Sequence, residues 1–285
     1  GWKEKGIVRD MGDKMRGLGV ALSMQGSGIA NVDIASVIIK LQDDGFYTLA
    51  IGATDMGTGC DTVLAQMAAE CLECDVDQIV TQGVDTDASP YDTGSYASAT
   101  TYVTGMSVVK ACEVLKKQII EEAAVLMEVE KEHISFDGKK IYAIEDGKEM
   151  SLSDFANICF AGGKGACLIA NASHCSPTSP PPFMAGIAEV DVDKLTGEIT
   201  MVDYVAVVDS GTIINPNLAR IQVEGGIAQG IGMALYEDVT YSDTGKMRNN
   251  SFMQYKIPTR LDVGRIRVDF ESSYEDSGPF GAKSI

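Results

Sequence analysis

Four prolines crowd into the seven residues Ser176-Pro177-Thr178-Ser179-Pro180-Pro181-Pro182, and no regular element can run through them. Proline lacks a backbone N–H and fixes φ, so it breaks helix interiors and is excluded from inner strands. The cluster divides the chain. A boundary just before it gives a first subdomain over residues 1–170 and a second over residues 171–285.

On both sides of the cluster, strand and helix patterns alternate. Strands are expected at Gly17–Met24, Ala35–Leu41 and Tyr47–Ala53; the run Ser36-Val37-Ile38-Ile39 is β-branched and apolar, as in a buried strand. A helix is expected from Asp61 to Cys74, where Val63, Leu64, Met67, Ala68 and Cys71 recur at helical spacing. A strand at Gln78–Val84 and a long helix from Ser98 to Glu128 follow. Asp137-Gly138 is a hairpin turn signal between strands Ile134–Phe136 and Lys140–Ile144. Beyond the prolines, Phe183–Asp193 and Glu198–Val208 read as paired strands, Pro216–Leu235 as a helix with proline near its start, and Arg265–Glu271 as a final strand. The expected fold class is α/β (α+β), with mixed sheets packed against helices in two similar-sized subdomains.

Composition excludes several roles. The net charge of −18, from 41 acidic and 23 basic residues, repels a phosphate backbone, so no nucleic-acid partner is expected. No apolar run approaches the roughly 20 residues of a membrane helix, and the charged start from Gly1 to Arg16 has no apolar signal region. A cytoplasmic location without membrane contact is expected. Seven scattered cysteines, an odd number in a long chain, suit reduced thiols.

Three segments carry candidate chemistry. Thr54-Asp55-Met56-Gly57-Thr58-Gly59 joins a strand to a helix, where glycines admit a ligand to the backbone and a helix N-terminus offers N–H groups to an anion; such a glycine turn is also commonly only a turn. Gly94-Ser95-Tyr96-Ala97-Ser98-Ala99-Thr100-Thr101-Tyr102 brings four small hydroxyl residues into the start of a helix, more than capping needs. Glu224-Gly225-Gly226-Ile227-Ala228-Gln229-Gly230-Ile231-Gly232 puts four glycines inside a helix, at about 1 kcal/mol each relative to alanine. Close packing against another backbone and a cofactor lying on the helix, with Gln229 as donor and acceptor, explain them equally well.

Other candidates lead to little. Cys71 and Cys74 form a C-x-x-C without a second pair, and Cys60, eleven helical residues before Cys71, lies roughly 16 Å from it. His133 and His174 have neither metal-ligand spacing nor a nucleophile partner. Asp85 and Asp87 read as solvated loop acids, and no phosphate-loop or dinucleotide signature occurs.

Taken in order, the motifs Met56-Gly57-Thr58-Gly59, Asp61-Thr62-Val63-Leu64-Ala65-Gln66 and Gly94 to Thr101 resemble the molybdopterin-binding subunit of the xanthine dehydrogenase and aldehyde oxidase family. So do Ser179-Pro180-Pro181-Pro182-Phe183 followed by Ala188-Glu189-Val190-Asp191-Val192-Asp193, and the segment from Val223 to Gly232. Gly278-Pro279-Phe280-Gly281-Ala282-Lys283 is similar to the stretch just before that family's catalytic glutamate. The resemblance covers almost the whole chain and points to the second half of the cofactor-binding part, its C-terminal molybdopterin-binding domain.

That resemblance implies a molybdopterin cofactor, with the cytosine dinucleotide as one form of it. Gly57, Thr58 and Gly59 would approach the pterin phosphate region. Tyr96, Ala97, Ser98, Ala99, Thr100 and Thr101 would wrap the cofactor with Ala97 beside the metal, and Gln229 would hydrogen-bond the pterin. Thr58 stands where many members carry glutamine, and Ser284-Ile285 where Gly-[Val/Ile] is usual. No residue of the chain is expected to ligate the metal, and the glutamate that accepts a proton would lie beyond Ile285. The implied reaction is oxidative hydroxylation of a purine, an N-heterocycle or an aldehyde, with water as the oxygen source. Electrons would leave through iron–sulfur centres and FAD on other domains or subunits. A missing first half of the molybdopterin subunit is the expected partner, and the fragment alone is expected to be inactive. The alternatives are a cofactor-free interaction or structural domain of the same fold, and a relative of the carbon monoxide dehydrogenase large subunit.

Overall fold

A computed structural model describes residues 6–145, 147–161 and 166–285; the first five residues of the charged start lie outside the described residues. The chain forms two compact units, one from Gly1–Met24 and Pro182–Ser272, the other from Gln25–Pro181 and Ser273–Ile285. One crossing between them, Pro181 to Pro182, falls within the proline cluster. Among the described residues the fold is mixed α/β, with three sheets and four α-helices.

The first unit holds a five-stranded sheet in the order β1 (Val8–Asp10), β2 (Lys14–Met24), β10 (Phe183–Asp193), β11 (Ile199–Asp209), β12 (Arg265–Phe270). All pairs are antiparallel except β11 with β12, and a bulge shifts the β10–β11 register between Glu189 and Val190. Arginines stitch the sheet. Arg16 makes a two-pronged ion pair with Asp191 at 2.6 and 2.7 Å, Arg9 pairs with Glu189, and Arg267 with Asp203. Helix α4 (Pro216–Leu235) packs on β12. Asn215 caps it by accepting from the Leu218 N–H at 3.1 Å, and Pro216 occupies the first turn, where its missing N–H costs nothing.

The second unit is built on a sheet in the order β5 (Ile79–Gln82), β4 (Tyr47–Ile51), β3 (Ile34–Leu41), β9 (Ile169–Cys175). Every second residue of β3 and β4 is buried, and Val37, Ile39, Leu41, Tyr47 and Leu49 are wholly enclosed. Strands β4 and β5 are parallel, joined through helix α1 (Cys60–Leu72). Helix α2 (Gly105–Met127) packs on α1, β3 and β9, burying Val108, Ala111, Cys112, Leu115 and Ile119. A small antiparallel sheet, β6 (Ile134–Phe136), β7 (Lys140–Ala143) and β8 (Lys148–Ser151), leads into helix α3 (Leu152–Ala161). No helix among the described residues is long and apolar enough to cross a membrane, and all seven cysteines are free thiols.

The structure departs from the sequence expectation in two ways. Strands β1, β8 and β9 and helix α3 are additional. Strand β8 reads Lys-Glu-Met-Ser and β9 Ile-Ala-Asn-Ala-Ser-His-Cys, so neither carries the β-branched signal that marks β3. The helix expected from Ser98 begins only at Gly105, after a five-residue π turn at Thr100–Thr104.

His174 gives this unit a pH dependence. Lys110 donates to its Nδ1 at 2.8 Å, while Nε2 is buried with no hydrogen-bond partner among the described residues. Burial, helped by the Lys110 charge, pushes the imidazole down to about 4. As pH falls below about 6.5, the unfolded chain takes up a proton that the folded imidazole refuses. The stability held by neutral His174 is therefore present above that value and is lost between about 6.5 and about 4. The urea midpoint should fall across this window, and His174→Gln should flatten the fall; an unchanged slope in the variant would assign the window to other groups.

Candidate functional site

In the second unit the glycine turn lies at the carboxyl end of β4 and the N-terminus of α1, a common ligand position in parallel α/β arrangements. Gly57 (φ 104°) and Gly59 (φ 77°) occupy the left-handed region that glycine tolerates best. The Asp55 carboxylate accepts from the Gly57 N–H at 2.9 Å and the Gly59 N–H at 3.1 Å. These backbone bonds, Gly57 first, hold its carboxyl below the ordinary aspartate range. A side chain of the turn thus already holds two N–H groups that an incoming anion would seek.

Carboxylate and sulfur atoms of Asp55, Cys60 and Asp61 lie within 4.8 Å of one another. Burial pushes the Cys60 thiol up to about 12, so it carries its proton, and burial also raises the Asp61 carboxyl. A protonated thiol beside a carboxylate committed to backbone N–H groups locks the turn and makes a poor cation site.

The second segment is held under strain. Ala97 (φ 50°) and Ser98 (φ 55°) are both left-handed, an unfavourable backbone for residues other than glycine. Three contacts fix them. The Gly28 N–H donates to the Ala97 carbonyl at 2.9 Å, the Gln25 amide donates to Ser98 Oγ at 2.7 Å, and Thr100 donates to Ser95 Oγ at 2.9 Å. The hydroxyls of Ser95, Ser98 and Thr100 therefore hold the loop, and none of them caps the helix. Asp92 ties the segment down further, accepting from the Gly94 N–H at 2.8 Å and from Thr104 at 2.9 Å.

The structure brings the first two segments into one neighbourhood. Gly52, just before the glycine turn, lies so close to Pro90 and Asp92, just before Gly94, that any side chain there would collide with the Pro90 carbonyl. The terminal motif joins the same unit. Tyr102, wholly buried, hydrogen-bonds through its hydroxyl to Ser277 at 2.7 Å, Ser176 at 3.0 Å and Thr178 at 3.2 Å. Pro279 packs at Gly105, 3.0 Å from where a side chain would begin. Phe280 (φ 52°) repeats the left-handed strain of Ala97. Tyr102→Phe strips the buried Ser176 hydroxyl and the less buried Ser277 and Thr178 hydroxyls of a shared partner and should cost about 1–3 kcal/mol. Chemical denaturation would measure it, and a loss of a few tenths would mean the three hydroxyls satisfy one another.

In the first unit, helix α4 buries Ala219, Val223, Ile227 and Ile231 and leaves Gln229 exposed. A methyl group added at Gly225, Gly226 or Gly230 would meet nothing within 4 Å, whereas a side chain on Gly232 would strike Glu237 and stand 3.0 Å from Pro258. Close packing among the described residues therefore accounts for Gly232 alone of these four glycines.

Sequence reasoning passes over Gln25, Gly28, Gly52, Asp55, Asp92 and Tyr102 as site residues. Asp55 and Tyr102 sit within the recognised motifs; Gln25 and Asp92 carry no local signal, because only the fold brings them to the loop. Asp85 accepts from the Asp87 N–H at 2.8 Å in an exposed turn, and His133 pairs with Glu145 at 3.3 Å, so neither enters a site.

Residues 2–264 match the molybdopterin cofactor-binding domain. The chain is 34% identical over 275 residues to a probable hypoxanthine oxidase of Escherichia coli K12, covering 96% of this chain and 29% of that protein. It is 34% identical over 281 residues to a putative xanthine dehydrogenase molybdenum-binding subunit of the same strain, covering 96% and 37%. Quinoline 2-oxidoreductase from Pseudomonas putida 86 superposes with a TM-score of 0.86 at 27% identity, over 95% of this chain and 37% of that one. The chain thus spans about a third of the length of these relatives. It belongs to the molybdopterin cofactor-binding domain family.

Proposed function

We propose that this chain is the second cofactor-binding part of a molybdenum hydroxylase that acts on a purine or related N-heterocycle. The observation that carries the reading is the bare helix face around Gln229. Three exposed glycines lower helix stability, and nothing among the described residues packs against them. A flat cofactor lying on this face explains them, with the Gln229 amide able both to donate to a pterin and to accept from it. When bound, the cofactor supplies the two-electron oxidation and the transfer of a water-derived oxygen.

The chain's own residues hold and orient it. Gly57, Thr58 and Gly59 approach through their uncluttered outer surface, since nothing stands within 4 Å of a Gly57 side-chain position. Their N–H donors are reserved: Asp55 already holds those of Gly57 and Gly59. The run from Tyr96 to Thr101 presents the strained Ala97–Ser98 backbone, fixed before any ligand arrives, so little ordering is left for binding to supply. The relatives' names support a purine substrate, and the label of molybdenum-binding subunit supports partners that carry electrons away. Iron–sulfur and flavin centres, the cytosine dinucleotide form of the cofactor, the remaining part of the polypeptide and a cytoplasmic location belong to the same proposal.

The test is metal content and turnover. The longer protein should carry molybdenum and oxidise hypoxanthine or xanthine with an artificial acceptor. The 285-residue chain alone should do neither, because part of a hydrogen-bond shell cannot offset the cost of fixing a large ligand. A longer protein that folds without molybdenum would favour a cofactor-free interaction domain. Stoichiometric molybdenum with turnover in the short chain would remove the need for further polypeptide.

A further inference from the structure

Helices α1 and α2 touch along a line that two contacts define. The Met67 sulfur lies 2.7 Å from where a Gly105 side chain would begin, and Glu73 forms an ion pair with Lys116. Both contacts advance along both helices, so α1 and α2 run in the same direction and Cys71 falls opposite Cys112. The two thiols are near enough for each to shift the other's proton affinity. Cys112 is wholly buried, and Cys71 is half-buried with a path to solvent. A further group faces this cluster unsatisfied: the Tyr47 hydroxyl is buried without a hydrogen-bond partner among the described residues, and the titratable groups acting on it are Cys74 and Cys112.

We propose that Cys71 and Cys112 form an oxidisable thiol pair, with Cys71 as the attacking sulfur and a hydroperoxide as the oxidant. The neighbouring Cys112 thiol lowers the Cys71 thiol from its ordinary value, and the Lys116 ammonium assists, whereas burial pushes Cys74 up to about 11. The Cys71 thiolate attacks the peroxide O–O bond, taking one oxygen and becoming a sulfenic acid; the other oxygen leaves as water or alcohol after protonation. Cys112 then attacks the Cys71 sulfur, the S–O bond breaks, and water departs with the Cys112 proton. Two thiols are oxidised to one disulfide, and one peroxide is reduced. The bond would clamp α1 to α2, the helices that begin at the glycine turn and the π turn. A shared metal ion is a weaker reading, since Cys71, Cys74 and Cys112 do not bring their sulfurs within 4.8 Å of one another.

The longest available form of the protein is treated with a few equivalents of hydrogen peroxide, unfolded, alkylated, digested and mapped by mass spectrometry. The expected product is a Cys71–Cys112 linked peptide, with alkylation lost at both positions together. Cys112→Ser should stop the reaction at a dimedone-reactive sulfenic acid on Cys71. A Cys71–Cys74 link would overturn the pairing. Full alkylation of Cys71 and Cys112 while the exposed Cys167 and Cys175 oxidise would overturn the proposal. The wild-type map decides the question even if the variant folds poorly.

Discussion

Gly278→Ala should be among the most destabilising single-methyl changes in the second unit. A methyl at this position would run into the Ala282 carbonyl oxygen and stand 3.3 Å from the Tyr102 ring. The obstruction lies across a tight turn: the Gly281 N–H donates to the Gly278 carbonyl at 3.2 Å and the Ala282 N–H to the Pro279 carbonyl at 3.0 Å. Backbone cannot swing aside as a flexible side chain does, so the turn must open. Opening it draws Ser277 away from Tyr102 and Pro279 away from Gly105. Overpacking of this kind costs about 1–3 kcal/mol, and the lost Tyr102 hydrogen bond adds about 1 kcal/mol. At roughly 2–4 °C per kcal/mol for a protein of this size, the melting temperature should drop by roughly 4–16 °C. Calorimetry on Gly278→Ala beside Gly245→Ala tests it, since Gly245 has open space around it but a left-handed backbone (φ 77°). A loss at Gly278, whose φ of −101° suits alanine, no larger than that at Gly245 would mean that the turn absorbs the methyl without opening.

What is legible in the sequence follows from how local each signal is. Helix α4 is readable to the residue, because Asn215-Pro216 marks its start and the periodic residues run on to Leu235. Strands β3 and β10 are equally plain. The start of the long helix is misread for a physical reason: Ser98 to Thr104 has the composition of a helix entry, but tertiary bonds from Gln25, Gly28 and Asp92 hold it in a left-handed step and a π turn. The same holds for the proline cluster. One crossing between compact units falls within it, yet strand β2 (Lys14–Met24) pairs with strand β10 and residues 273–285 return to α2, and no local pattern reveals partners that distant. Of the site, the motif glycines are visible. The residues that fix them, Asp55 and Asp92, are not, because an aspartate in a loop looks alike whether it is solvated or holds two backbone N–H groups.

The helix face around Gln229 separates stability from binding with opposite signs. Gly226→Ala and Gly230→Ala place a methyl in open space on a helix, so each should stabilise the fold by about 0.5–1 kcal/mol. Gln229→Ala removes an exposed amide with little packing to lose and should leave the melting temperature nearly unchanged. If the face holds the pterin, the same three changes should lower molybdenum content. The glycine variants push a methyl between helix and ligand, and the glutamine variant strips a hydrogen bond worth about 1 kcal/mol, or up to about 3 kcal/mol if a pterin group is left buried and unpaired. Since about 1.4 kcal/mol is a tenfold change in affinity, Gln229→Ala should weaken cofactor retention by roughly fivefold to a hundredfold. Metal analysis and thermal melts on the same preparations measure both quantities. Higher melting temperatures with full molybdenum in all three variants would leave the face to some other partner. A large fall in melting temperature for Gln229→Ala would make the amide a structural element of the fold.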